Sequence, residues 1–386
     1  MQVDLEWHKS SFTLNHIFSD NHNWDTYRFN HKEELREVEI EEVNRMLTCG
    51  DKGFRVFTCP KCGEVKVIHF GCNSRMCTHC GKKFADKWAE NIARKTFKVK
   101  HRHGVLTIPS ELRSIFKEER ELLKVFMDSA IKAILDVMEW KLHKEVIPGV
   151  IAVLHTYGKD MKFNPHIHAL ITEGGFKNNG EWVDVNVFPY KMLRRAWQYQ
   201  VLTNLKAALE NTLENSRLID SLFKRHLEGF YVRAKDTITG EKDLIRYIGR
   251  YIRHPAIAES RIEFYDGETV GFWYRDDDEV KHHVKMNVEE FISAIIGHIP
   301  DRQFKTIRHY GIYSRGLKRH FRGLLGLISI AQQKLTKFFE IWTPTCDKCG
   351  TKMEYVITMT GKPPPNHIFG SSITDWNYIL PSPTSQ

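Results

Sequence analysis

Two histidines stand two residues apart in Asn164-Pro165-His166-Ile167-His168-Ala169-Leu170. A β-strand sends residues i and i+2 to one face, so His166 and His168 project together while Ile167 turns toward apolar packing. Two imidazoles converging from a rigid strand are half of a metal site. Pro165 cannot donate to a ladder and suits the start of the strand. A third ligand comes from the preceding stretch, Val150-Ile151-Ala152-Val153-Leu154-His155, which reads as a buried strand. Tyr157-Gly158-Lys159-Asp160 carries the turn. If the two strands pair antiparallel, His155 faces His166 and His168 across the ladder.

The second chemical stretch is Asp243-Leu244-Ile245-Arg246-Tyr247-Ile248-Gly249-Arg250-Tyr251-Ile252-Arg253. Gly240, Glu241 and Asp243 suit a helix N-terminus and Pro255 ends it. Tyr247 and Tyr251 are four apart and share one face, one turn from each other. Arg246, Arg250 and Arg253 form a neighbouring basic stripe. A divalent cation on the histidines can polarise a phosphodiester and neutralise the charge that develops there. A phenol can then attack in line and become a phosphotyrosine ester. Tyrosine has an ordinary pKa near 10, so only about one in a thousand is ionised at neutral pH. A nearby cation and the arginine stripe favour the phenolate.

The third group is cysteine. Cys59-Pro60-Lys61-Cys62-Gly63 and Cys77-Thr78-His79-Cys80-Gly81 are knuckles that aim two thiolates at one ion, with 14 residues between the pairs. The spacing predicts one structural Zn²⁺ on Cys59, Cys62, Cys77 and Cys80, with Val65 to Phe70 as ribbon strand between them. Cys72 is a fifth thiol in reach and could replace one of the four, whereas Cys49 reads as a bystander. Cys346-Asp347-Lys348-Cys349-Gly350 is a further knuckle with no obvious partner pair. It is either a half-site completed by a distant histidine or a turn without metal.

These groups need elements to hold them. The spacing of Leu35, Val38, Val43 and Met46 predicts an amphipathic helix within 31–47. A basic helix is expected over 84–97 and a strand over 103–108. A long helical stretch capped by Ser110 follows to about residue 144. Turn signals at Gly174-Gly175 and Asn178-Asn179-Gly180 frame a hairpin ending near Val187, and helix signals return over 190–213. Strands are expected over 256–264, 270–274 and 306–313, with a short helix over 287–296. Arg308 lies in a basic-aromatic strand suited to phosphates and stacked bases. The alternation argues for an α+β fold, an antiparallel sheet with helices packed on it, plus a zinc ribbon or knuckle module. The expected domains are a helical segment 1–48, a zinc module with its basic helix 49–100, a nuclease-type domain 101–313 and a basic helix with the last knuckle 314–361. The Pro/Ser-rich tail 362–386 is expected to be disordered.

With 41% hydrophobic residues, the 386-residue chain can bury a core, and its formal charge of +9 favours a polyanionic partner, most simply nucleic acid. No stretch reaches the roughly 18 apolar residues of a membrane span. The amino-terminal residues have no signal-peptide core. An intracellular, thiol-reducing compartment follows, in which the eight cysteines are better read as metal ligands or free thiols than as disulfides; a cytoplasmic, nucleoid-associated setting is expected.

The segments Leu154-His155-Thr156-Tyr157-Gly158, Phe163-Asn164-Pro165-His166-Ile167-His168 and Tyr247-Ile248-Gly249-Arg250-Tyr251 resemble those of the two-tyrosine rolling-circle transposases. These are the insertion-sequence 91 family, within the HUH (histidine–hydrophobic–histidine) endonucleases. Cys72-Asn73-Ser74-Arg75-Met76-Cys77-Thr78-His79-Cys80 is similar to that family's zinc module, with Met76 where members commonly have histidine. The resemblance implies cleavage of single-stranded DNA at element ends through a 5′-phosphotyrosine, leaving a free 3′-hydroxyl. It implies Mg²⁺ or Mn²⁺ on His166 and His168, Tyr247 and Tyr251 as nucleophiles, and strand transfer without target duplication; an oligomer is compatible with it. His155 as third ligand is a geometric expectation. The competing expectations are a non-catalytic zinc-ribbon DNA-binding regulator and a hydrolase that activates water instead of tyrosine.

Overall fold

The computed structural model describes residues 12–142, 146–185, 187–234, 237–238, 256–276, 278–324 and 343–361. Arg246, Tyr247, Arg250, Tyr251 and Arg253 lie outside the described residues, as does the tail 362–386.

The chain is α+β, with antiparallel sheets and helices packed on them. Three helices come first: α1 (Leu14–Ser19), α2 (Asn23–Asn30) and α3 (Glu37–Leu47). The sequence reading saw only the third, because α1 and α2 are too short for periodicity to emerge. Strands β1 (Phe54–Thr58) and β2 (Val65–His69) form a hairpin, followed by α4 (Thr78–Lys95). Helix α4 starts six residues before the expected boundary, since Cys77 is its N-cap and the knuckle is its first turn.

The central seven-stranded sheet holds β3 (His101–Leu106), β4 (Val146–Tyr157), β5 (Phe163–Lys177), β6 (Trp182–Asp184), β7 (Val232–Arg233), β8 (Thr237–Ile238) and β12 (Ile307–Gly311). Its main path runs β12-β4-β5-β3-β7, with β6 on β5 and β8 on β3. Helices α5 (Arg113–Glu118), α6 (Leu122–Leu142), α7 (Tyr190–Ala208) and α8 (Leu213–Arg225) connect these strands. The single long helix expected after Ser110 is instead a 3₁₀ turn, α5 and α6, and Ser110 makes no capping bond. The helix expected over 190–213 ends at Ala208, and a new one starts at Leu213 with Thr212 as its side-chain cap.

Alternation along the strands divides the sheet into two faces. Leu106, Ala152, Leu154, Ile167 and Ala169 face α6 and α7 and form the main core with Phe126, Ile134 and Trp197. Trp197 is fully buried and donates its indole N–H to Thr107 O at 2.7 Å. On the opposite face, Ile151, Val153 and Leu170 pack with Ala89 and Ile92 of α4 and with Phe321 of α10 (Arg315–Leu324). The helix leaving the cysteine knuckle thus covers one end of the face that carries the histidines.

A second sheet, β9 (Ile262–Tyr265), β10 (Thr269–Arg275) and β11 (Lys281–Asn287), packs with α9 (Val288–Ile296) against α1 to α3. Residues 256–261, expected as strand, are bends and a 3₁₀ turn, and Glu259 there accepts the Leu14 N–H at 3.0 Å. The last described strand, β13 (Glu354–Met359), pairs antiparallel with β1, so the end of the described chain returns to the first hairpin.

Candidate metal centres

His155 and His166 are direct cross-strand partners in the β4–β5 ladder, and His168 lies opposite Val153. The strands are joined by a tight connection in which Gly158 N–H donates to Lys162 O at 2.9 Å. That connection fixes the register, and the register converges the three rings. One ring nitrogen from each of His155, His166 and His168 lies within 4.8 Å of the others. The Nε2 atoms of His166 and His168 are 3.1 Å apart. Adjacent positions on an octahedral ion with bonds of about 2.1 Å lie about 3.0 Å apart, so this spacing fits a shared cation.

The chemistry of the donors agrees. His166 Nδ1 is 2.7 Å from Asn164 O. A carbonyl only accepts, so Nδ1 carries the proton and Nε2 keeps its lone pair for a ligand. His168 Nδ1 lies 3.2 Å from His103 Nε2. A proton on His168 Nδ1, donated to His103, likewise leaves His168 Nε2 free. Burial pushes His166 below the ordinary histidine range, and the Arg113 charge adds to this. Burial also pushes His168 well below it, helped by the neighbouring histidines 155, 166 and 103. Neutral imidazole is the ligating form.

His103 is the residue that sequence reasoning missed. It was placed at the start of a strand but given no chemistry. Val105, two residues on and on the same face, pairs with His168, and that register, which the sequence does not reveal, brings His103 to the site. Arg113 was missed too: it stands near His166, and its Nε is buried without a hydrogen-bond partner. A cleft beside His155 is lined by Arg75, Arg120, His298, Lys305 and Tyr157. Met76 also lines it. Arg308, expected to contact nucleic acid, is ion-paired with Asp128 and lies over the Phe304 ring at 5.9 Å.

The expected zinc set requires correction. Cys59, Cys62, Cys77 and Cys80 do not meet at one point; the eight cysteines form two groups of four. Cys77 and Cys80 converge with Cys72 and with Cys49, the supposed bystander. Cys59 and Cys62 converge with Cys346 and Cys349, the knuckle that had no visible partner. The reason is topological. The β1–β2 hairpin extends the first knuckle toward β13, while the loop ahead of α4, bonded to Glu42 of α3, holds the second beside Cys49. In the first group the sulfurs of Cys49 and Cys80 are 3.7 Å apart, and those of Cys72 and Cys80 and of Cys77 and Cys49 are 3.6 Å apart. A tetrahedron with Zn–S bonds of about 2.3 Å has edges of about 3.8 Å. Buried Glu42 braces the loop: its carbonyl accepts from Ser74 Oγ at 2.7 Å and its carboxylate from Arg75 N–H at 2.6 Å. No helix among the described residues is long and apolar enough to cross a membrane.

Comparisons with known proteins agree with these features. A family model described as a transposase zinc-binding domain matches residues 20–108, which hold six of the eight cysteines. A model described as a putative transposase matches residues 149–320, which hold His155, His166, His168, Tyr247 and Tyr251. The chain is 27% identical over 356 residues to the transposase for insertion sequence element IS801 of Pseudomonas savastanoi pv. phaseolicola, covering 85% of each chain. It is 25% identical over 298 residues to the putative transposase y4qJ of Sinorhizobium fredii (strain NBRC 101917 / NGR234), covering 71% of this chain and 75% of the relative. No solved structure matches. With a zinc-binding domain ahead of a transposase domain and a relative aligned along most of its length, the chain belongs to the insertion-sequence 91 family of transposases.

Proposed function

We propose that the chain nicks single-stranded DNA at transposon ends and transfers strands through a 5′-phosphotyrosine intermediate, as a metal-dependent HUH transposase. The convergence of His155, His166 and His168 carries this reading. A Mg²⁺ or Mn²⁺ ion held there supplies charge neutralisation at the scissile phosphate. His166 and His168, kept neutral by burial, and His155 give that ion a preformed set of nitrogen donors. Asn164 O and His103 orient two of the rings. Arg113, with its unpartnered buried Nε, is suited to a phosphate oxygen. Tyr247 or Tyr251 attacks phosphorus, its proton leaves, and the 3′-oxygen departs as the phosphotyrosine forms. The ester keeps the energy of the broken bond, so rejoining needs no nucleotide cofactor.

Arg246, Arg250, Arg253 and Arg308 are assigned to the DNA backbone in this reading; for Arg308 that requires exchange of its pairing with Asp128. The thiolate group Cys49, Cys72, Cys77 and Cys80 holds a structural zinc ion within the matched zinc-binding domain. The residue boundaries 1–48, 49–100, 101–313 and 314–361 belong to the same proposal, as do the nucleoid setting and an oligomeric state.

Covalent trapping tests the function. Protein incubated with single-stranded element-end DNA and Mn²⁺ should give a protein–DNA adduct on a denaturing gel. The adduct should vanish in the Tyr247→Phe, Tyr251→Phe double variant and in His166→Ala. Cleavage without an adduct would favour a hydrolase that activates water. Salt-sensitive binding indifferent to both sets of changes would favour a DNA-binding regulator.

A further inference from the structure

The first and last cysteine knuckles are built alike. In Cys59-Pro60-Lys61-Cys62-Gly63, the Cys59 N–H donates to Glu64 O at 2.8 Å and the Gly63 N–H to Cys59 O at 2.9 Å. In Cys346-Asp347-Lys348-Cys349-Gly350, the Cys346 N–H donates to Thr351 O at 2.8 Å and the Gly350 N–H to Cys346 O at 2.9 Å. Gly63 and Gly350 have φ of +73° and +70°, a conformation that favours glycine at both positions. The chain has therefore built the same turn twice, 287 residues apart, and in each the turn aims two sulfurs outward.

The two turns face each other. The sulfurs of Cys59 and Cys349 are 3.4 Å apart, those of Cys62 and Cys346 3.5 Å, and those of Cys62 and Cys349 3.7 Å. These separations match the edge of a zinc–thiolate tetrahedron, about 3.8 Å, and are far beyond a disulfide bond of about 2.05 Å. Two ion pairs cross between the turns in reciprocal fashion: Lys66 with Asp347 at 2.8 Å, and Lys348 with Glu64. Phe57 and Met353 close the apolar side over Cys59 and Cys346. The β1–β13 ladder, with Phe57 opposite Tyr355 and Thr58 opposite Glu354, sets the approach.

We propose that Cys59, Cys62, Cys346 and Cys349 bind a second structural zinc ion, which fastens the chain beyond the transposase match to the module ahead of it. Four sulfur ligands leave no position open for substrate, so the ion is structural. Binding displaces the thiol protons to solvent and leaves four thiolates on one Zn²⁺. Cys346 and Cys349 lie outside both matched regions, 20–108 and 149–320. The ion thus closes a loop containing the entire histidine-bearing sheet. Without the ion, β13, the two ion pairs and the Phe57–Met353 packing hold this return among the described residues; the ion adds a link conditional on metal. The proposal stands apart from the transposase reading, since it requires neither tyrosine nor the histidine group.

Zinc counting on the full chain tests it. After removal of loosely held metal, zinc is displaced with an organomercurial and measured with a metallochromic dye. Two thiolate-bound ions per chain are expected for the native sequence. The Cys346→Ser, Cys349→Ser variant should keep one, as should Cys59→Ser, Cys62→Ser. Combining all four changes should still leave one, because both pairs belong to the same site. Two ions retained without Cys346 and Cys349, or one in the native chain, would overturn the proposal. Alkylation of the native, zinc-loaded protein gives a second readout that needs no variant. Cys346 and Cys349 should resist iodoacetamide and become reactive together with Cys59 and Cys62 on chelation. Ready alkylation of Cys346 and Cys349 while zinc is bound would equally overturn it.

Discussion

His103 Nε2 lies 3.2 Å from His168 Nδ1, diagonally across the β3–β5 ladder. Both side chains are buried, at 7% and 8% exposure, so neither can trade this contact for water. Between two ring nitrogens there is room for one proton. When His168 donates it, Nε2 is left to bind metal; when His103 donates it, His168 Nε2 carries a hydrogen and cannot. His103 is therefore a positioning residue. Replacing such a partner typically costs 10–100-fold in metal affinity. His103→Ala should weaken Mn²⁺ binding by about that factor, measured by calorimetry or electron paramagnetic resonance. His103→Gln, whose carbonyl can accept from His168, should recover part of it. Equal losses in both variants would make His103 a packing residue only.

His155 carries a separate prediction. It is less enclosed than His168, and its ring centroid is 4.7 Å from that of His168 and 5.4 Å from that of His166. His155→Ala should reduce Mn²⁺ affinity as His166→Ala does and leave the metal-free melting curve nearly unchanged. Mn²⁺ binding at native strength in His155→Ala would reduce the site to the two histidines of β5.

The stability of the fold should fall with acid through two other histidines. Burial pushes His101 and His298 down to about 4. His298 is held neutral on both nitrogens: Nε2 donates to Met161 O at 2.8 Å, and Thr156 Oγ1 lies 3.2 Å from Nδ1. An unfolded histidine titrates near 6.5. Between about pH 6.5 and 4 the unfolded chain therefore binds protons that the folded chain refuses, and stability drops as pH falls. Each group contributes roughly 1–3 kcal/mol across that window. Denaturant midpoints from pH 7 to 4.5 should decline less steeply in His298→Gln than in the native chain. Parallel curves would remove His298 as a source of the slope.

The histidine trio was legible because every step in it is local. Period-two alternation puts His166 and His168 on one face, and a short turn dictates which residue of the previous strand lies opposite. The fold class followed from the same local patterns. The cysteine sets were not legible, because spacing along the chain cannot reveal that β13 returns to β1. Pairing neighbouring knuckles assumed that the nearest thiols in sequence are the nearest in space. Here the loop ahead of α4 holds one pair against the end of α3 and the hairpin carries the other to a segment far along the chain. His103 and Arg113 were invisible for a related reason: each acts through a residue more than 50 positions away.

The last prediction concerns what holds β4 in place beside the site. Strand β12 forms the outer edge, and Leu154 N–H, adjacent to His155, donates to Thr306 O at 2.8 Å. Beyond its far end, Ile312 N–H donates to Pro148 O at 3.0 Å. Gly311 ends β12 with φ of +55°, and a Cβ there would stand 1.7 Å from Pro148 O. That atom is backbone in β4 and cannot swing aside. Gly311→Ala thus combines an unfavourable backbone conformation with a collision, and should cost at least ~2 kcal/mol in denaturant unfolding. The edge must shift, and with it the bond beside His155, so Mn²⁺ affinity should fall as well. Gly316→Ala is the control: a Cβ there meets nothing within 4 Å, and the residue lies in helix α10. It should be neutral or stabilising by up to ~1 kcal/mol. Weakened stability with unchanged Mn²⁺ binding in Gly311→Ala would mean that β12 supports the sheet without governing the histidine geometry.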